Sequence, residues 1–250
     1  MSRLRRLAVS VAALCILLLL WESLSRTGIM NARLAPPPSA IPRALFSEIL
    51  QGYWFSAVLA SLTHYAIGLF IGSALGVTFG TAVALSPGLE RALAGITRVL
   101  RPIPPLAWIP FAIIWFGISE TAAAFIIAIG VFWLNYFTSL SAIQTVDRDL
   151  IELARAFGHG RLWARLTKVM LPAASPGIVG GLRAGLGQGW MTVVAAELFG
   201  ISGIGNRMME ASSLLATDIV VLYMLTIALL YGVSDYVFVR VSDRMLAWSR

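Results

Sequence analysis

Apolar residues run through this chain in long stretches, at about 7–21, 58–85, 103–116, 122–140, 178–199 and 219–239, with polar residues gathered between them. A helix needs roughly 20 apolar residues to cross the hydrocarbon layer, so the pattern predicts an all-α chain with six membrane spans. The third stretch is short for a crossing; its helix is expected to begin near Leu93 and to bend at the prolines that follow. Between the first two spans, Ala35-Pro36-Pro37-Pro38 excludes a helix. Ile41, Leu45, Phe46, Ile49 and Leu50 then recur as an amphipathic helix suited to the membrane surface.

The longest charge-bearing interval is 147–172, which carries Arg148, Arg155, Arg161, Arg165 and Lys168 beside Asp147, Asp149 and Glu152. Asp149 is expected to cap a helix, with Glu152 reaching back to complete a capping box. Leu150, Leu153, Ala154 and Phe157 recur at helical spacing, and Arg148, Glu152, Arg155 and His159 lie around the other side. Gly158 and Gly160 supply residues able to take positive φ and end that helix. A second short helix is expected over 161–170, after which Leu171-Pro172 opens the next apolar segment. The interval reads as two short helices joined by a turn at the membrane face.

Glu152-Leu153-Ala154, with Gly158 and the Leu171-Pro172 pair, resembles the Glu-Ala-Ala loop of bacterial ABC importer permeases. Leu153 stands where that family has its second alanine, and the interval from Gly158 to Pro172 is one residue longer than the family's spacing. Arg101-Pro102-Ile103-Pro104-Pro105-Leu106-Ala107-Trp108-Ile109-Pro110, running on to Trp115-Phe116-Gly117-Ile118, is similar to the third-span signature of the nitrate, sulfonate, taurine and bicarbonate branch. Gly181-Leu182-Arg183 and Ala195-Ala196-Glu197 are similar to the same branch, and the likeness covers about 53–243.

The resemblance implies the type I importer (MetI-like) fold: a first helix over 1–25, a periplasmic loop with an interfacial helix over 26–57, the permease domain over 58–243 and a cytoplasmic tail over 244–250. It implies an inner-membrane location, a second permease copy, ABC ATPase subunits that hold ATP and Mg, and a periplasmic solute-binding protein. Glu152, Leu153, Ala154, Gly158, Leu171 and Pro172 then form the ATPase-coupling loop, in which Gly158 sets the turn, Ala154 allows the ATPase close approach and Glu152 supplies a carboxylate. The branch carries small anions and also some neutral or cationic vitamin precursors, so the solute stays open.

Composition adds two constraints. With 58% hydrophobic and 12% charged residues the chain falls far from soluble domains, in which about 25% of residues are charged. Its net charge of +7 would suit nucleic acid, but the arginines scatter over loops and form no basic stripe with interleaved aromatics. They sort by side of the membrane: fourteen of the basic residues fall in segments on one side, and four, Arg26, Arg33, Arg43 and Arg207, on the other. That asymmetry predicts cytoplasmic termini, counted with Arg250 at the end, and a cytoplasmic 147–172 loop. The first apolar run has no small-residue cleavage site after it and reads as an uncleaved span; Cys15 within it is the only cysteine, which excludes an internal disulfide.

Gly68, Gly72, Gly76 and Gly80 form a four-residue-spaced ridge on one span, and Gly177, Gly181, Gly185 and Gly189 form another. Such ridges let backbones approach closely in lipid, and the two are expected to pack on each other or across a dimer. Intramembrane polar groups are costly and mark function or pairing. Arg183 is expected to pair with a carboxylate or a helix C-terminus or else to contact an anion on the path, Glu197 to pair with Arg207 or gate the path, and His64 and Gln188 to line it or to pack. Trp108, Trp115, Trp133 and Trp190 read as core or interface anchors.

The sole lysine, Lys168, follows Thr167 and belongs to no phosphate-binding Gly-Lys-Ser/Thr turn; His64 and His159 form no metalloprotease motif, and no Gly-x-Ser-x-Gly elbow is present. The chain is therefore expected to be non-catalytic, with no cofactor or metal of its own. An ion-gradient transporter would show inverted repeats and carboxylates near midplane, and a membrane-embedded enzyme a cluster of His, Asp or Glu at one depth.

Overall fold

The computed structural model describes residues 3–28, 31, 34–158 and 161–247. Arg33, His159, Gly160 and Arg250, on which parts of the sequence reading rest, lie outside them. Helices dominate the described residues, with no strand among them. They are α1 (Arg3–Arg26), α2 (Ile41–Leu50), α3 (Tyr53–Leu85), α4 (Pro87–Leu100), α5 (Ile109–Phe116), α6 (Glu120–Gln144), α7 (Arg148–Ala156), α8 (Leu162–Arg165), α9 (Leu171–Glu197), α10 (Ile204–Ser213) and α11 (Thr217–Met245). By length and composition α3, α6 and α11 can each cross a membrane, and α4 with α5 makes a fourth crossing if the bent pair is one span. Helices α1 and α9, with 24 and 27 residues, are also long enough, at about 36 and 40 Å.

The bend between α4 and the Pro105–Phe116 segment is 89°. Its cause is the run Pro102-Ile103-Pro104-Pro105, which removes three backbone donors within four residues and cannot continue a helix. The near half begins at Pro87, not near Leu93. Ser86 caps it, its Oγ accepting from the Leu89 N–H at 3.3 Å, and Pro87 takes the first helical position, where a missing N–H costs nothing.

Helix α6 is the centre of the bundle, with its most extensive contacts to α3 on one side and α9 on the other. The two glycine ridges explain why, though not as a pair facing each other. Both close on α6. A Cβ on Gly68 would lie 2.6 Å from Ile127 Cβ, one on Gly72 2.5 Å from the Ala128 carbonyl, and one on Gly76 2.7 Å from the Phe132 carbonyl; at Gly80 it would collide with the Tyr136 carbonyl. On the other flank Gly177 meets Ala142, Gly181 meets Thr138, Gly185 meets Asn135, and Gly189 meets Tyr65 with Val131 beyond. With no side chain between backbones, dispersion and Cα–H···O contacts hold the three helices where lipid offers no hydrophobic drive. Tyr65 from α3 and Trp190 from α9 stack at 4.4 Å between centroids, at the middle of a core that includes Ile126, Ile127 and Val131.

Helix α2 forms where it is expected and buries a charge as well. Its apolar Phe46 and Leu50 face outward, and the residues it buries are Ala44 and Glu48, one turn apart. A second small core, with Ala57, Val58, Ile204 and Tyr223, joins α3, α10 and α11 beside it.

Candidate functional site

At one end of the bundle the chain leaves α6, forms α7 and returns through α8 into α9. The cap of α7 is Asp147 and not Asp149: Asp147 Oδ1 accepts the Asp149 N–H at 2.9 Å, so the helix starts at Arg148 and the Asp149–Glu152 capping box is replaced. Gly158 closes the helix at φ +85°, a conformation costly for any residue with a Cβ. Ala154 is the buried residue of α7, so it faces its own chain instead of offering close approach to another, and Ile151 packs against the Ile143–Ile178 core. The outward stripe is Leu150, Leu153 and Phe157, followed across the turn by Leu162 and Trp163; Phe157 and Trp163 are each 74% exposed. Glu152 is exposed beside it, while Leu171 and Pro172 are half-buried at the root of α9.

Leu171-Pro172 opens α9, but with no break in the helix before it. Residues 166–170 form a π-turn that joins α8 directly to α9, making one helical rod from Leu162 to Glu197. A π-turn holds one more residue than an α-turn. Such a turn has room for the one residue by which this loop exceeds the family spacing.

From this end a cavity of about 650 Å³ runs up the bundle, bounded by the 101–105 break, α6 from Gly130 to Thr145, and α9 at Gly177 and Gln188. At 1.5 Å per residue the α6 wall spans roughly 22 Å. Gln188 Nε2 donates to Thr192 Oγ1 at 3.3 Å near its upper limit, and Trp133 forms part of the wall. Arg183 lies outside it. Its Nε and Nη2 donate to the two Asp235 oxygens at 2.7 and 2.8 Å, a fork-on-fork pair between α9 and α11.

The opposite end is knit by buried charge. Glu197 does not pair with Arg207: fully buried, it accepts from Ser61 Oγ at 2.8 Å and from the Gly205 N–H at 2.9 Å, and meets His64 Nδ1 at 2.9 Å. Ser61 Oγ in turn accepts the Ile204 N–H at 2.8 Å, so two of the free amides that open α10 are satisfied from α3 and α9. Gly203 lies against the carboxylate at φ +149°, where a Cβ would strike Glu197. His64 is therefore part of this lock and not of the cavity wall; its Nε2 has no partner among the described residues. Arg207 binds Glu48 instead, donating from Nε at 3.0 Å and Nη2 at 2.7 Å, and from Nη1 to Glu210 at 2.9 Å. Tyr223 O–H donates to Glu48 at 2.8 Å, and the Tyr53 ring lies 4.2 Å from the guanidinium. Burial, the largest influence on Glu48, pushes its carboxyl upward, but the hydrogen bonds from Arg207 and Tyr223 outweigh it and hold the group below the usual glutamate range. The Glu48 hydrogen bonds raise Arg207 above its ordinary value. Nothing in the sequence flagged Glu48; its one signal is a carboxylate four residues after Ala44 on the side of α2 away from Phe46 and Leu50.

These features define a class: an all-α polytopic membrane protein with a cavity on its helix-packing axis and a polar helical hairpin, apolar on its outer stripe, inserted between two of the packed helices. Residues 72–247 match the family described as binding-protein-dependent transport system inner membrane component, and the chain belongs to that family. It is 32% identical over 253 residues to the taurine transport system permease protein TauC of Escherichia coli (strain K12), covering 98% of this chain and 90% of that protein. It is 31% identical over 247 residues to the bicarbonate transport system permease protein CmpB of Synechococcus elongatus, covering 92% and 84%. Among solved structures, an inward-facing MetNI methionine ABC transporter chain matches with a TM-score of 0.65 at 22% identity, over 81% of this chain and 99% of that one, a likeness of fold.

Proposed function

We propose that this chain is the permease subunit of an ATP-driven importer of a small anion of the taurine, sulfonate or bicarbonate kind. Two copies enclose the path. α7 docks on an ABC ATPase subunit, which holds ATP and Mg and performs the hydrolysis; a periplasmic binding protein delivers solute at the α10 end. The apolar runs support six spans, and the distribution of arginines supports cytoplasmic termini and a cytoplasmic hairpin.

The observation that carries this reading is the α7 stripe. Leu150, Leu153 and Phe157 expose a continuous apolar surface in the most highly charged loop of the chain, and a helix laid in a partner's groove uses such i, i+3, i+7 anchors. Leu153, where the family has alanine, enlarges that stripe. Because α8, the π-turn and α9 form one rod, displacement of the hairpin is transmitted to the wall of the cavity without a flexible joint, which suits alternating access.

The test is uptake of labelled taurine and bicarbonate by vesicles holding the chain with its partner ABC ATPase and periplasmic binding protein. ATP-dependent uptake, lost in Gly158→Asp together with ATPase co-purification, is the expected result. Uptake by this chain alone, driven by a proton gradient, would overturn the reading.

A further inference from the structure

The polar character of the cavity is carried by one charge. Among its lining residues Arg101 alone is ionisable, and no carboxylate lines the space. Arg101 also lines a neighbouring cavity that it shares with Glu90 and Arg98; Glu90 accepts there from Gln144 Nε2 at 2.9 Å, and the described residues show no ion pair between Glu90 and Arg101. Two other arginines on the packed helices are neutralised, Arg183 by Asp235 and Arg207 by Glu48 and Glu210. Arg101 is held by a ring. Its guanidinium carbon sits 4.5 Å from the centroid of Phe137, and Phe137 stacks on Trp133 at 6.1 Å and 23°, so Trp133, Phe137 and Arg101 form a layered wall. Stacking on a face fixes the plane of a guanidinium while leaving its edge donors uncommitted. The proline break that turns α4 away begins at the next residue and fixes the backbone that carries it.

The hydroxyls nearby sort into used and unused. Thr138 and Thr145 each donate to a carbonyl one turn back, at 2.9 Å in both cases, and so offer an anion only lone pairs. Ser141, exposed on the same wall, makes no such bond and has its proton to give. A fork of N–H groups beside one hydroxyl donor, against an aromatic wall that carries no carboxylate, matches an oxyanion of single charge and disfavours a cation. A volume of about 650 Å³ falls within the range of small-solute sites, roughly 300–1,000 Å³.

We propose that Arg101, with Ser141, is the anion station of the path, which sets the solute class as a compact monoanion bearing a sulfonate, carboxylate or carbonate group. This rests on the permease reading only in calling the cavity a path; the chemistry of the site stands on the side chains. A station of one charge and one hydroxyl is also weak enough to release what it receives, as conduction requires.

The competing role for Arg101 is a topological anchor at the cytoplasmic end of a span. Two probes separate them. Trp133 reports occupancy, so its fluorescence is titrated in the purified full chain with sodium methanesulfonate, with Trp133→Phe as the blank and tetramethylammonium chloride as the cation control. The wild type is expected to show a saturable change with methanesulfonate and none with tetramethylammonium. Arg101→Gln should raise the half-saturating concentration at least about tenfold and Arg101→Lys by about threefold or less, because charge survives and the fork is lost. Arg98→Gln, one turn away, should leave it unchanged. An unchanged titration in Arg101→Gln, an equal response to the cation, or no saturable response in the wild type would overturn the assignment. ATPase co-purification, read on the same preparations, tests the permease reading separately and should be unaffected by Arg101→Gln.

Discussion

The two ends of the helix bundle are built on opposite principles. At the α10 end the buried charges are consumed within the chain: Glu197 binds Ser61, His64 and the first amides of α10, and Glu48 binds Arg207 and Tyr223. At the α7 end the apolar stripe of Leu150, Leu153 and Phe157 faces outward and finds no cover in the chain. Buried polar groups demand partners at once, so the first end sets up a fixed frame; apolar groups on a surface helix tolerate water and leave the second end open to a partner. The difference teaches where motion can enter. It enters where the chain has left its contacts to be completed by another.

The largest effect should come from cutting the frame. Glu197→Ala strands Ser61, His64 and the Gly205 amide in a buried site and is expected to cost about 3–5 kcal/mol of stability, whereas Glu152→Ala on α7 should stay within about 0.5 kcal/mol. Thermal unfolding of the two purified variants checks this; equal midpoints would erase the contrast. Next, Gly76→Leu forces a side chain onto the Phe132 backbone and should cost about 3 kcal/mol or more, while Gly95→Leu on α4, where a Cβ meets nothing within 4 Å, should be neutral. The fraction of each variant recovered as a single species on size exclusion is the readout.

A smaller and pH-tuned effect belongs to the Glu48–Arg207 clamp. Its folded carboxyl is held below the usual glutamate value of about 4.3, so the clamp's contribution is fully present above that value and is lost as pH falls through the lower folded value. Glu48→Gln should remove about 2 kcal/mol near neutral pH and flatten the acid side of the stability profile. An acid limb identical in mutant and wild type would show that the clamp does not hold α2 to α10. The smallest effect on folding should come from the open end: Leu153→Asp is expected to shift stability by no more than about 0.5 kcal/mol while abolishing ATPase co-purification.

Much of this contrast is visible in the residues alone, and the part that is not has a physical reason. The apolar runs mark the helices, Gly158 marks the turn, the proline run marks the bend, and Arg183 demands a carboxylate. The partner of Glu197 is invisible because it comes from a helix 133 residues away, and only the crossing of α3 and α9 decides which group meets it. The glycine ridges announce close contact but not with what; the α6 positions that meet the first ridge, 124, 128, 132 and 136, keep the four-step spacing but carry Ala, Ala, Phe and Tyr, so no series of small residues marks them. Ile41, Leu45, Phe46, Ile49 and Leu50 define a stripe on α2 that hides the meaning of Glu48, since a hydrophobic pattern says nothing about a charge buried beside it. The extra residue in the hairpin looks like a slip in phase, and only the π-turn at 166–170 shows room for it.

Amide hydrogen exchange, compared between the permease alone and the permease with its ATPase, reaches the central claim most directly. Protection is expected to rise by at least about tenfold over 148–157 and to stay unchanged over 204–213, since one segment gains a partner and the other already has its own. Protection gained over 204–213 with none over 148–157 would contradict the account.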